Sequence, residues 1–208
     1  RIKYIGANLN LKADRIINAE NMIVLPGFIN THHHMYQILF RNIPEVQDTE
    51  LFDWLVFLYE LWKNMTPEAV YISAKLGISE LLLTGCTTTV DHYYVFPKNQ
   101  PRDLIDHEIY AAREMGIRFH PCRGSMSRGK SRGGLPPDIV VQSEDEIMKD
   151  CDRLINKYHD PEPFSMCRIV LAPCSPFSVT TELLKETVDF ARKKGVWCKT
   201  HLAETKDE

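Results

Sequence analysis

From Gly27 onward, short apolar runs that end in polar or charged residues alternate with longer stretches whose apolar positions recur at helical spacing. Five runs have strand character: Gly27 to His32 (GFINTH), Thr87 to Tyr94 (TTTVDHYY), Ile117 to Gly124 (IRFHPCRG), Cys167 to Ser175 (CRIVLAPCS) and Val196 to Glu204 (VWCKTHLAE). Between them lie predicted helices with their own boundary signals. Thr66-Pro67-Glu68 caps and starts a helix through Leu83 that Gly85 ends, and Asp103 to Met115 runs up to Gly116. Ser143 to Tyr158 opens with the capping-box residues Ser143 and Glu146, and Thr180 to Lys194 stops at Gly195. Near-continuous apolar strands, each followed by a helix, predict a parallel sheet covered by helices, either doubly wound or a (β/α)8 TIM-type barrel. No G-x-G-x-x-G or G-x-x-x-x-G-K-[ST] follows any strand, so the barrel, over residues 26–208, is the favoured architecture.

Residues 1–25 follow a different pattern. YIGANL, ADRIINAE and MIVLP alternate apolar and polar positions with Asn, Asp and Gly punctuation, which predicts short strands of a small β-layer. After the third barrel strand, Ser125 to Asp138 (SMSRGKSRGGLPPD) is rich in Gly, Ser, Arg and Pro; it reads as a flexible insertion or as a lid over a site at the strand ends.

Composition narrows the function more than the fold. The 208 residues are 44% hydrophobic and 25% charged with a formal net charge of -3, a globular balance without a basic surface for nucleic acid or an anionic membrane. No apolar segment approaches the roughly 20 residues of a membrane span. The six cysteines form no C-x-x-C pair and sit largely in apolar runs, so they are expected to be reduced, in a cytoplasmic setting. A small ligand is the expected partner.

In parallel α/β folds chemistry collects at the carboxyl ends of the strands. This chain places there His32, His33 and His34; Asp91 and His92; Arg123; Cys174 and Ser175; and His201 with Glu204, so five of its eight histidines occupy strand ends. His107, His120 and His159 lie elsewhere. His32 and His34 are two apart, so an extended strand turns both to one side and His33 to the other. Two imidazoles on one side suit zinc, iron or nickel, and His201 can add a third nitrogen. A nearby carboxylate, Glu204, can then move protons for an acidified water. The plainer readings are a His-rich loop and a surface Glu opening the next helix. A structural zinc site is a poor fit, because such sites have four ligands close in sequence and rich in Cys. H-E-x-x-H and G-x-S-x-G are absent, and Pro121-Cys122 and Pro173-Cys174 lack the second Cys of P-C-x-x-C.

PGFINTHHH together with a later strand ending HLAE resembles the amidohydrolase superfamily of metal-dependent (β/α)8 barrels. HHHMYQ, ELLLTGCTTTVDHYYVFP, RFHPCRGSMS, GGLPPD and APCSPFSV resemble its 8-oxoguanine deaminase and hydroxyatrazine aminohydrolase group. The resemblance implies a small β-sandwich domain over residues 1–25 and one Zn2+, with iron as an alternative, on His32, His34 and His201. It implies Glu204 as the catalytic acid/base and Gln37, Arg123, His92 and Ser175 as substrate-binding residues. Gln37 has a plainer alternative as a helix cap, Arg123 one as the partner of a rim acid, and His92 one in orienting ligands. The implied activity is hydrolytic deamination of an amino-purine, 8-oxoguanine to urate and ammonia, with hydroxy-s-triazines or pterins as alternative substrates. A non-catalytic binding module would have lost ligands or Glu204, and all of those visible here are kept. The resemblance also implies further sandwich strands before Arg1, and after Glu208 three more barrel strands bearing a metal-binding His and Asp. The complete protein is expected to be a homo-oligomer.

Overall fold

The computed structural model describes residues 2–7 and 11–206. Five strands form one parallel sheet in sequential order: β1 (Phe28–Asn30), β2 (Cys86–Tyr93), β3 (Arg118–Ser125), β4 (Val170–Pro173) and β5 (Trp197–Cys198). Helices α1 (Leu51–Trp62) and α2 (Pro67–Leu83) separate the first two strands, and α3 (Leu104–Met115), α4 (Glu144–Tyr158) and α5 (Thr181–Lys194) follow β2, β3 and β4. This is a partial TIM-type barrel.

The boundary signals act as expected. Thr66 Oγ1 accepts from the Ala69 amide to cap α2, and Ser143 and Glu146 form the reciprocal capping box of α4. Gly116 and Gly195 end α3 and α5 at φ 73° and 68°, a left-handed conformation that a side chain would oppose. Helix α1 was not anticipated. Its sequence LFDWLVFLYELW is apolar almost all round, which blurs the helical period, yet Leu55, Leu58, Tyr59 and Trp62 form one buried stripe. Burying each of these contributes about 1.5–3 kcal/mol, and Trp62 meets Tyr36 edge-to-face at 5.2 Å, fixing α1 over the turn that follows β1.

Two expectations are corrected. The described residues before Leu25 form no strand and are almost wholly exposed, with Ile5, Ile16, Ile23 and Val24 open to solvent; Asn8 to Asn10, within the first predicted strand, lie outside the described residues. Alternation creates a strand only where another strand pairs with it, and these residues have no such partner here. The fifth strand pairs only over Trp197–Cys198, because β4 alone borders it. Its extension still tracks β4, through Lys199 N–H to Leu171 O and His201 N–H to Cys174 O, both 3.0 Å. That extension carries His201 to the carboxyl end of the sheet.

The segment from Ser125 to Asp138 is stitched down. Ser127 and Arg128 amides both donate to Ser178 O at 3.0 Å, and Ser131 Oγ donates to Asp138 Oδ1 at 2.8 Å. Among the described residues, no helix is long and apolar enough to cross a membrane, and all six cysteines are free.

Candidate metal centre and its cavity

The chain leaves β1 still extended, so the two-residue spacing of His32 and His34 keeps both side chains on one side, as alternation requires. Their Nε2 atoms lie 3.1 Å apart, and His34 Nε2 lies 3.1 Å from His201 Nε2. Backbone carbonyls set which nitrogen faces inward. His34 Nδ1 donates to His92 O at 2.6 Å and His201 Nδ1 donates to Cys174 O at 2.7 Å. Both rings therefore point an unprotonated Nε2 at the other.

Two lone pairs at that distance repel unless a cation lies between them. A proton is disfavoured: burial, and after it the repulsion that two protonated rings this close would feel, holds His34 well below the ordinary imidazole range. Burial and Lys199 push His32 down to about 4. Nitrogens on a tetrahedral zinc with bonds of about 2.0–2.1 Å stand roughly 3.3 Å apart, so the three imidazoles fit a divalent metal. Lys199 Nζ lies 3.0 Å from His32 Nδ1, a neighbour that strand reading did not single out.

His33 turns the other way, its Nδ1 3.8 Å from the buried Asp91. Glu204 follows His201 by a short turn with Ala203 in the left-handed region at φ 53°, which returns the chain to the cavity lined by His34, Gln37, Tyr94, Ser175, His201 and Glu204. The Glu204 charge reaches Tyr59, Tyr94 and Cys174; burial raises all three, and the carboxylate adds to it. Gln37 is half-buried, its Nε2 donating to the Tyr36 and Tyr94 hydroxyls at 3.3 and 3.5 Å. Ser175 Oγ lies 2.7 Å from Ser178 Oγ in the floor.

Trp54, Tyr59 and Phe177 complete the wall. Trp54 and Tyr59 come from the unanticipated α1, and Phe177 carried no pattern. Tyr94 was readable, two residues beyond His92 on the same inward side.

His92 and Arg123 are not brought to this cavity. His92 is fully buried beside the convergent imidazoles, stacked on His201 at 4.4 Å between ring centroids, so it meets those rings and not the cavity wall. Arg123 points to the opposite side of the sheet, under α4. Its Nε donates to Asp150 Oδ2 at 2.8 Å and its terminal nitrogen to Gln142 Oε1 at 2.7 Å, over the face of Phe96. Asp150 is held in turn by Arg153, whose guanidinium forks onto the buried Asp106. The rim-acid alternative thus describes Arg123: a fully buried guanidinium requires a carboxylate, and α4 supplies it. Arg123→Met is expected to destabilise the protein by about 1–3 kcal/mol, since Asp150 keeps only Arg153 as partner and Gln142 Oε1 loses its donor. Thermal unfolding measures this, and an unchanged Tm would contradict the structural role of Arg123.

Residues 23–208 match the amidohydrolase family. The chain is 45% identical over 191 residues to an 8-oxoguanine deaminase of Pseudomonas aeruginosa, covering 92% of this chain and 42% of that protein. A hydroxydechloroatrazine ethylaminohydrolase of Pseudomonas sp. strain ADP is 36% identical over 191 residues, covering 91% and 40%. Among solved structures, an atrazine chlorohydrolase from Arthrobacter aurescens TC1 complexed with zinc superposes with a TM-score of 0.81 at 36% identity, over 88% of this chain and 42% of that one. The chain thus spans less than half the length of the relatives it matches.

Proposed function

The chain belongs to the amidohydrolase family, and from that premise we propose that its protein is a zinc-dependent deaminase of an amino-purine, converting 8-oxoguanine to urate and ammonia. The observation that carries this reading is the convergence of three imidazole Nε2 atoms, with that of His34 3.1 Å from each of the other two, beside a cavity that Glu204 and Gln37 also line. A divalent metal bound there supplies an acidified water and Lewis-acid polarisation. The rest of the chemistry belongs to the chain. Glu204 accepts the proton of the attacking water and passes it to the ring nitrogen beside the amine-bearing carbon. A C–O bond forms at that carbon, its C–N bond breaks, and the amine leaves as ammonia after a second proton transfer.

Binding follows from the walls. The Gln37 amide pairs with the donor and acceptor edge of an oxo-purine, and Ser175 borders the same space. Trp54 and Tyr94 offer aromatic surface to a flat ring. The similarity to an 8-oxoguanine deaminase supports the purine; the similarity to a hydroxydechloroatrazine ethylaminohydrolase makes a hydroxylated s-triazine the second candidate.

Ammonia release by the full-length protein loaded with one equivalent of zinc tests the reading. 8-Oxoguanine is expected to give the highest kcat/KM in a set that also contains guanine, isoxanthopterin and a hydroxylated s-triazine. Preference for the triazine would move the substrate assignment, and no ammonia from any of them would overturn the activity.

A further inference from the structure

Behind the imidazoles, on the helix-facing side of β2, Asp91 and Glu108 are both fully buried. Glu108 projects from α3, close enough to Asp91 for each carboxyl group to act on the other. Apart from Asp91, neither Glu108 oxygen has a donor among the described residues, and Asp91 Oδ2 has none either. Two ionised carboxylates accept and cannot donate, so a bond between them requires a proton on one. Burial favours that proton, lifting Asp91 to about 7 and Glu108 well above the ordinary carboxylate range.

The other oxygen of Asp91 has a defined task. Asp91 Oδ1 accepts the buried Met35 N–H at 2.7 Å, one residue past His34. Beside it, His92 N–H donates to His33 O at 2.8 Å and His92 O accepts from His34 Nδ1 at 2.6 Å. These three bonds tie the residues after β1 to the end of β2. Two of them use only β2 backbone; the Asp91 carboxylate is the one β2 side chain among them.

We propose that Glu108 and Asp91 form a proton-sharing carboxyl pair in which Glu108 donates to Asp91, and that the pair positions the segment bearing His32 and His34. Glu108 touches neither a ligand nor the cavity; it acts by keeping Asp91 Oδ1 fixed as the acceptor for Met35. Thr89 and Tyr93 share this side of β2, and their hydroxyls, also without partners among the described residues, line the same buried layer. His33 Nδ1 is the nearest imidazole, 3.8 Å from Asp91.

The inference rests on the reading of His32, His34 and His201 as metal ligands but needs no substrate, so its test is separate from the ammonia assay. Zinc affinity of the full-length protein is measured by chelator competition, and the cobalt-substituted protein supplies a visible spectrum that reports ligand geometry. Glu108→Leu is expected to weaken zinc binding about 10- to 100-fold, the usual cost of losing an outer-layer partner, and to alter the cobalt spectrum. Glu108→Gln keeps a donor towards Asp91 without needing a shared proton, and is expected to retain the wild-type affinity and spectrum. Wild-type zinc affinity in the leucine variant overturns the proposal, as does a glutamine variant that binds as weakly as the leucine one. Should the leucine variant not fold, infrared difference spectroscopy of Glu108→Gln against wild type decides: loss of a protonated-carboxyl band at neutral pH is expected, and its absence from wild type contradicts the shared proton.

Discussion

Glu204→Gln is expected to lower turnover about 10²- to 10⁴-fold, roughly 3–5 kcal/mol in the barrier, while zinc content and KM stay close to wild type. The expectation follows from where the residue lies. Glu204 sits three residues past His201, and the turn at Ala203 brings it to the same cavity as His34 and Gln37. Glutamine keeps its shape and one acceptor oxygen but cannot take a proton from water. The imidazole nitrogens are set by the His92 and Cys174 carbonyls, which do not involve Glu204, so metal affinity should survive. Steady-state ammonia release and metal analysis on the same preparation check both halves. A decrease smaller than about tenfold would remove Glu204 from the proton-transfer role.

Strand parity was the most dependable signal in the sequence. It separated His32 and His34 from His33, and the structure keeps that separation although β1 ends at Asn30, before any of the three. Helices α2 to α5 were readable from Thr66, Ser143 and the glycines after them, because caps act within a few residues. What failed depended on distant partners. The side to which Arg123 points is fixed by its place on β3, but its meaning required knowing that Asp150 arrives from α4. Helix α1 hid in an all-apolar run, and with it went Trp54 and Tyr59. The buried Asp91–Glu108 pair was equally invisible, since a Glu in a helix and an Asp near a strand end give no sign that the fold will enclose both.

His34→Asn should remove the metal more completely than any other single change. His34 Nε2 is the middle of the three convergent nitrogens, 3.1 Å from each of the other two, so its loss breaks both close pairs at once. The shorter asparagine cannot reach the His92 carbonyl and the metal position together, and the two remaining imidazoles fall below the three protein ligands usual for catalytic zinc. Zinc retained after dialysis is expected to drop from one equivalent to below about a tenth, and ammonia release with it, because chemistry that depends on an acidified water has no other source here. His33→Asn is the matching comparison one residue away. Its side chain turns towards Asp91, on the opposite side from the convergent nitrogens, so bound zinc should remain near one equivalent even if turnover changes. Equal zinc loss in the two variants would mean that the parity of the segment, and with it the ligand assignment, is wrong.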